Sequence, residues 1–242
     1  MSGADVRFPR SWRQRYLLVP MARLLQLWFR PRLRGLEHVP ADRPVLYLGK
    51  HPRTFLYLEV ILLGLLTFWD SHRPPFRPME KRGTSLHKAP ILGWIRRHVG
   101  TIEATEEAAM RAAAGGESLL LFPGGPRELH GPPDRIDWEG RLGFAKLAAN
   151  AGLPVVPVAI VGADQQHPWA LRLGRRHTVW LPPVPLPVRL DYWFGPPIPP
   201  PPPGDAAAVA AFARAVADAT QALLDRGVAE RGVAERRGGR AA

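Results

Sequence analysis

Short apolar stretches that break abruptly into polar groups constrain this chain most. The first runs Val45-Leu46-Tyr47-Leu48-Gly49 and closes on Lys50 and His51. The second, Ser118 to Phe122, breaks into Pro123-Gly124-Gly125-Pro126 and then the charged pair Arg127-Glu128. Val155 to Val161 is a third. Apolar runs this short, bounded by turn formers, read as strands buried on both faces. Phe76 to Lys81 and Thr101 to Ala104 read as further strands. Between them lie helical patterns: Phe55 to Trp69, Leu86 to His98, Glu106 to Ala114 ended by Gly115-Gly116, and Leu142 to Ala151 capped by Gly152. Strands alternating with helices predict an α/β domain, a mostly parallel twisted sheet flanked by helices. Sites in such sheets lie at the carboxyl ends of the strands, so His51 and the Gly-Gly turn are the first candidates.

A chain of 242 residues suits one domain with appended segments. Residues 36–200 are expected to form the domain. Residues 1–35 alternate arginines with Trp12, Tyr16, Leu17, Met21, Leu24, Leu25, Trp28 and Phe29, an N-terminal amphipathic helix pattern with a basic face. Aromatic rings and arginines at a helix boundary suit a bilayer interface; a helix packed on the core with solvated arginines gives the same pattern. No run reaches the roughly 20 uncharged apolar residues of a membrane span. Tyr16 to Phe29 contains Pro20 and Arg23, and Phe55 to Trp69 contains Glu59. The segment is therefore expected to lie on an anionic membrane surface, peripheral or monotopic. Residues 201–242 read as a proline linker, an Ala-rich helix over Ala206 to Leu224, and a frayed tail built on the repeat Arg226-Gly227-Val228-Ala229-Glu230 and Arg231-Gly232-Val233-Ala234-Glu235.

The formal net charge is +12, which favours an anionic partner: membrane lipid, nucleic acid or a phosphorylated co-substrate. Lys50, Lys81, Lys88 and Lys146 are the only lysines, and this Arg-, Ala-, Pro- and Gly-rich composition equally fits a GC-rich genome. No nucleic-acid-binding motif is present, so no nucleic acid is expected. The absence of cysteine excludes disulfides and thiolate metal sites. His167 has no second ligand at zinc-like spacing, and no metal or cofactor is expected.

His51 sits at a strand-to-helix junction, and Glu59 lies inside the apolar helix that follows. A carboxylate there needs a partner. Glu59 either holds a ring nitrogen of His51 and fixes its tautomer, or pairs with an arginine while His51 is an ordinary turn residue. Gly124 and Gly125 allow backbone N–H groups to approach an anion, and Arg127 can grip a phosphate; the alternative is a tight turn with Arg127 on Glu128 or on an acid of the next loop. Lys81, Arg82 and Lys88 either meet phosphates or form a solvated basic face.

The ordered set His51 with a downstream acid, Gly93-Trp94, Gly100, Phe122-Pro123-Gly124-Gly125-Pro126-Arg127-Glu128 and Leu153-Pro154-Val155-Val156-Pro157-Val158 resembles the glycerolipid acyltransferase superfamily, whose best-known members acylate lysophosphatidate. The resemblance covers residues 36–200. Most members carry Asp five residues after the histidine, where this chain has Leu56, so Glu59 is the acid left to fill that role. Gly124 and Pro126 replace the family's glutamate and threonine. Phe-Pro-Gly-Gly-x-Arg-Glu is similar to the diacylglycerol-acyltransferase-like and phytyl-ester-synthase-like branch, which tends toward neutral acceptors.

The resemblance implies an O-acyltransferase. His51 acts as general base on a lipid hydroxyl, and Glu59 orients it. Gly124, Gly125, Arg127, Lys81 and Arg82 bind substrate. Acyl-CoA or acyl carrier protein is the donor co-substrate, and the place of work is the cytoplasmic face of the cell membrane. A catalytically weak lipid-binding relative is the alternative that Leu56 supports.

Overall fold

The computed structural model describes residue 16 and residues 19–54, 58–81, 99–173 and 177–238. Helix α1 (Val19–Phe29) precedes the short strand β1 (Arg32–Arg34). Strand β2 (Leu46–Gly49) leads to α2 (Leu58–Gly64), which runs on as a π-turn over Leu65–Trp69. Then come β3 (Phe76–Glu80), β4 (Ile102–Glu103), α3 (Glu106–Ala114), β5 (Ser118–Leu121), α4 (Gly143–Ala151) and β6 (Val155–Val161). A hairpin of β7 (Trp169–Leu173) and β8 (His177–Leu181) precedes β9 (Asp191–Phe194) and α5 (Ala206–Gly238). The helix expected over Leu86 to His98 lies outside the described residues, as do Gly93-Trp94, Arg82, Lys88 and Leu56.

The seven-stranded sheet has the order β1-β9-β6-β2-β5-β3-β4, and every neighbouring pair is parallel except β6 with β9. This is the mostly parallel α/β sheet that the strand-helix alternation predicts. Along β2 the side chains divide by the period of two. Tyr47 joins the core under α1 and α2, edge-on to Phe76 and Phe194 with ring centroids 5.8 and 6.4 Å away. Leu46 and Leu48 face the opposite core with residues of α3, α4 and α5. Both faces are covered, so the strand can be apolar throughout. Each fully buried leucine of this kind contributes about 1.5–3 kcal/mol.

Two regions depart from the sequence reading. Arg32–Arg34, inside the N-terminal amphipathic segment, pair with Asp191–Trp193 as an edge strand, and Ala22 and Phe29 of α1 are buried in the domain core. The tail beyond Leu224, expected to fray, continues α5 to Gly238. Tertiary contacts hold it. The guanidinium of Arg231 donates to the Arg189 carbonyl at 2.7 Å, to Gln165 Oε1 at 2.6 Å and to Asp191 Oδ2 at 3.1 Å. At Gly227 the helix packs so close that a Cβ would stand 2.7 Å from Val161 Cγ2 and 2.9 Å from Trp193 Nε1. Over Ala206–Val233 this helix has the length and apolar composition of a membrane span. Here its Val209, Phe212, Ala213, Val216 and Leu224 are buried in the domain's core clusters.

Candidate active site

The parallel strands β2, β3, β4, β5 and β6 deliver their carboxyl ends to one edge of the sheet. At that edge β2 passes through Gly49 and Lys50 into His51, which is buried at 6% exposure. The His51 N–H donates to Oε2 of Glu128 at 2.7 Å. Its Nδ1 lies 2.8 Å from the Pro52 carbonyl oxygen. A carbonyl can only accept, so this bond places the proton on Nδ1 and leaves Nε2 as the basic nitrogen. The ring rests against Phe122, centroids 5.2 Å apart. Burial, assisted by the charge of Lys50 and opposed by the Pro52 bond, lowers the imidazole pKa to about 4. His51 is therefore a neutral imidazole at physiological pH.

Glu59 is fully buried in the first turn of α2, but its partner is not the imidazole. Oε1 accepts from the Thr54 hydroxyl at 2.8 Å, and Oε2 has no hydrogen-bond partner. The direct Glu59–His51 bond expected from the sequence gives way to a shorter-range arrangement. Thr54 returns its N–H to the Pro52 carbonyl at 2.9 Å, the same oxygen that His51 Nδ1 faces. Glu59 thus braces the turn that orients His51, and Pro52 supplies the acceptor. Burial pushes the Glu59 carboxyl up to about 7, against the opposing hydrogen bonds of its own backbone and Thr54. The Tyr192 hydroxyl donates to the Glu59 carbonyl at 2.8 Å and pins the helix start to β9.

The Phe-Pro-Gly-Gly turn leaves β5 beside His51. Gly125 has φ +57°, a left-handed conformation, and its N–H donates to the Phe122 carbonyl at 3.1 Å. Gly124 is needed for a different reason: a Cβ there would overlap the carboxylate of Glu128, which folds back beneath it. The Gly125 and His51 amides, both candidates for holding an oxyanion, are thus engaged within the fold. Arg127 turns outward, half exposed, with Nε 3.4 Å from Asp137 Oδ2. Lys81 is exposed just past the end of β3.

Two functional candidates escaped the sequence reading. Glu128 is 1% exposed; besides His51 it accepts from the Asp137 N–H at 2.9 Å. Lys50 is buried, with Nζ 3.4 Å from the carbonyls of both His51 and Glu128. Burial lowers the ammonium's pKa, and Glu128 opposes that shift. Position was the signal that could have found them: Lys50 directly precedes His51, and Glu128 closes the Phe-Pro-Gly-Gly-Pro-Arg-Glu motif.

Away from the site, α1 exposes Leu24, Leu27 and Trp28. The Trp28 indole N–H donates to the Pro185 carbonyl at 3.1 Å, which joins this face to the exposed Val184 and Leu186. Arg23, exposed, pairs with Asp70 at 2.5 Å.

An uncharacterised protein of Mycobacterium tuberculosis is 28% identical over 145 residues, 58% of this chain and 40% of that protein. Phytyl ester synthase 2 of Arabidopsis thaliana is 30% identical over 145 residues, 54% of this chain and 20% of that protein. The chain thus spans less than half the length of these curated relatives. The crystal structure of the 1-acyl-sn-glycerophosphate acyltransferase PlsC from Thermotoga maritima shares the fold, with TM-score 0.60 over 92% of this chain and 84% of that chain, at 16% identity. The Acyltransferase family model matches residues 30–161, from β1 to the end of β6 and so across both motifs, and the chain belongs to that family, within the glycerolipid acyltransferase superfamily.

Proposed function

We propose that this chain is an O-acyltransferase working at an anionic membrane surface, with acyl-CoA or acyl carrier protein as donor and a lipid alcohol as acceptor. One observation carries the reading. A neutral imidazole, its tautomer set by the Pro52 carbonyl, is locked by Glu128 to the Gly-Gly turn at the carboxyl edge of the sheet. In this reading Nε2 of His51 takes the proton from the acceptor hydroxyl as its oxygen attacks the thioester carbonyl. The tetrahedral intermediate collapses, the carbon–sulfur bond breaks, and the leaving thiolate takes the proton from His51. An ester and a free thiol result. The buried Lys50 ammonium supplies positive field for the oxyanion. Glu59 acts as a positioning residue through Thr54. Arg127, once released from its half-exposed pair with Asp137, and Lys81 meet anionic parts of the substrates; an exposed pair of this kind is worth at most about 1 kcal/mol. The α1 face, with Leu24, Leu27 and Trp28, seats the enzyme peripherally on the cytoplasmic leaflet.

The test is thiol release and ester formation by the purified full chain, with acyl-CoA and acyl carrier protein as donors. Lysophosphatidate, diacylglycerol and a long-chain alcohol serve as acceptors. A new ester with one of them is the expected result. Vesicle binding without ester formation from any pair would overturn the reading in favour of a lipid-binding relative.

A further inference from the structure

A cavity of about 430 Å³ opens at the carboxyl edge of the sheet, and Phe122, whose ring rests against His51, is among the residues that line it. Its size suits a small-molecule subsite. Met79, Leu121, Phe122, Phe144 and Leu147 give it an apolar lining. Two cations, Arg141 and Lys146, stand at its rim, both exposed. Neither makes a side-chain hydrogen bond or ion pair with a described residue. Glu106, the acid that also lines the cavity, is engaged by Asn150 Nδ2 at 2.6 Å. Helix α4 begins at Gly143, against the cavity, with no side-chain cap and no acid in its first turn. Its opening amides and helix dipole therefore add positive potential to that of the two side chains.

An apolar floor under a cationic rim matches one ligand chemistry, an anionic group carried on an apolar chain. A neutral lipid would leave the rim without a partner, and a bare anion would leave the floor in contact with water. We propose that this cavity is a substrate subsite for an anionic amphiphile. The apolar chain lies on the floor of Met79, Leu121, Phe144 and Leu147, and the phosphate or carboxylate sits between Arg141, Lys146 and the start of α4. The ligand is the phosphate-bearing donor or a phosphate-bearing acceptor. Only this choice rests on the acyltransferase reading; the binding itself does not.

The experiment is calorimetric titration of the full chain with octanoyl lysophosphatidate, octanoyl-CoA, CoA, inorganic phosphate and monooctanoylglycerol, each alone so that no turnover occurs. The same titrations are run on the double variant Arg141→Gln/Lys146→Gln and on Ala104→Trp, which fills the cavity from an exposed rim position. Circular dichroism checks that both variants fold. The expected result is that an anionic octanoyl ligand binds the wild type. It should bind at least about tenfold more weakly to the double variant, the loss expected when charge-assisted bonds are removed, and at least as much more weakly to Ala104→Trp, whose ring occupies the apolar floor. The tighter of lysophosphatidate and octanoyl-CoA names the source. Three results would overturn the subsite: equal binding by wild type and variants, monooctanoylglycerol binding as tightly as its anionic counterpart, or inorganic phosphate and CoA matching their octanoyl forms. Charge-dependent binding without acyl transfer would overturn only the acyltransferase reading. Acyl transfer with variant-independent binding would overturn only the cavity.

Discussion

The carboxylate of Glu128 accepts the backbone N–H of His51 at 2.7 Å, joining residues 77 apart in sequence. This bond sets the two motifs of the site at a fixed distance, and Gly124 leaves the space in which the carboxylate lies. Glu128→Gln keeps the size but turns an N–H toward one of its two N–H donors, the buried His51 amide or the part-buried Asp137 amide. Leaving such a group unsatisfied costs about 1–3 kcal/mol. In the proposed mechanism the bond positions the base rather than binding substrate, so kcat should fall about ten- to a hundredfold with KM nearly unchanged. Gly124→Ala, which pushes on the same carboxylate, should act in the same direction. Steady-state kinetics check both. A change confined to KM would place Glu128 in substrate binding instead.

Glu59 and His51 give the fold opposing pH dependences. The Glu59 carboxyl is raised from 4.5 to about 7, so its contribution to stability is complete below about pH 4.5 and is lost as pH rises through 7. That loss is about 3 kcal/mol at most. The His51 imidazole is lowered from 6.5 to about 4, so its contribution is complete above 6.5 and is lost as pH falls toward 4. Glu59→Gln should remove the first slope and keep the second. Urea melts of wild type and variant between pH 4.5 and 8 measure this. The variant should gain stability relative to wild type as pH rises, and a constant offset would show that Glu59 is ionised in the folded chain.

The outward face of α1 should govern membrane attachment. Replacing Leu24, Leu27 and Trp28 by serine removes exposed apolar surface without touching the buried Ala22 and Phe29. Sedimentation with anionic vesicles should fall several-fold, and the binding of the wild type should weaken as salt rises. Undiminished sedimentation of the triple variant would place the attachment elsewhere.

The strands were legible because their environment is simple. Leu46 to Gly49 and Val155 to Val161 are covered on both sides, and burial imposes an apolar run that survives in the sequence. The end of α5 was not legible. Arg226-Gly227 and Arg231-Gly232 read locally as a frayed, charged repeat, yet Arg231 is held by Asp191 and Gln165, and Gly227 permits contact with Val161 and Trp193. Tertiary contacts override local propensity there. Similarly, His51 and the Gly-Gly turn stood out as strand ends, but Glu128, Lys50 and the Thr54 partner of Glu59 depend on which loops meet, and spacing does not record that.

The packing at Gly227 is itself testable. Gly227→Val would drive a branched side chain into Val161 and the Trp193 ring, at a cost of about 1–3 kcal/mol for overpacking. A urea melt should show the loss, while Gly232→Val, which enters none of the close contacts described for Gly227, serves as the comparison. Equal stability of the two variants would contradict the close docking of α5 on β6 and β9.

Single-turnover acyl transfer by His51→Ala is the most direct test of His51 as the base. The measurement needs a saturating donor and an acceptor that the wild type uses. The rate should be lower by about 10²–10⁴ with the fold and donor binding retained. Wild-type kcat/KM should stay level as pH falls below 6.5 and drop only toward about 4, where the buried imidazole takes up its proton. A folded His51→Ala variant that forms ester at a near wild-type rate would contradict that role.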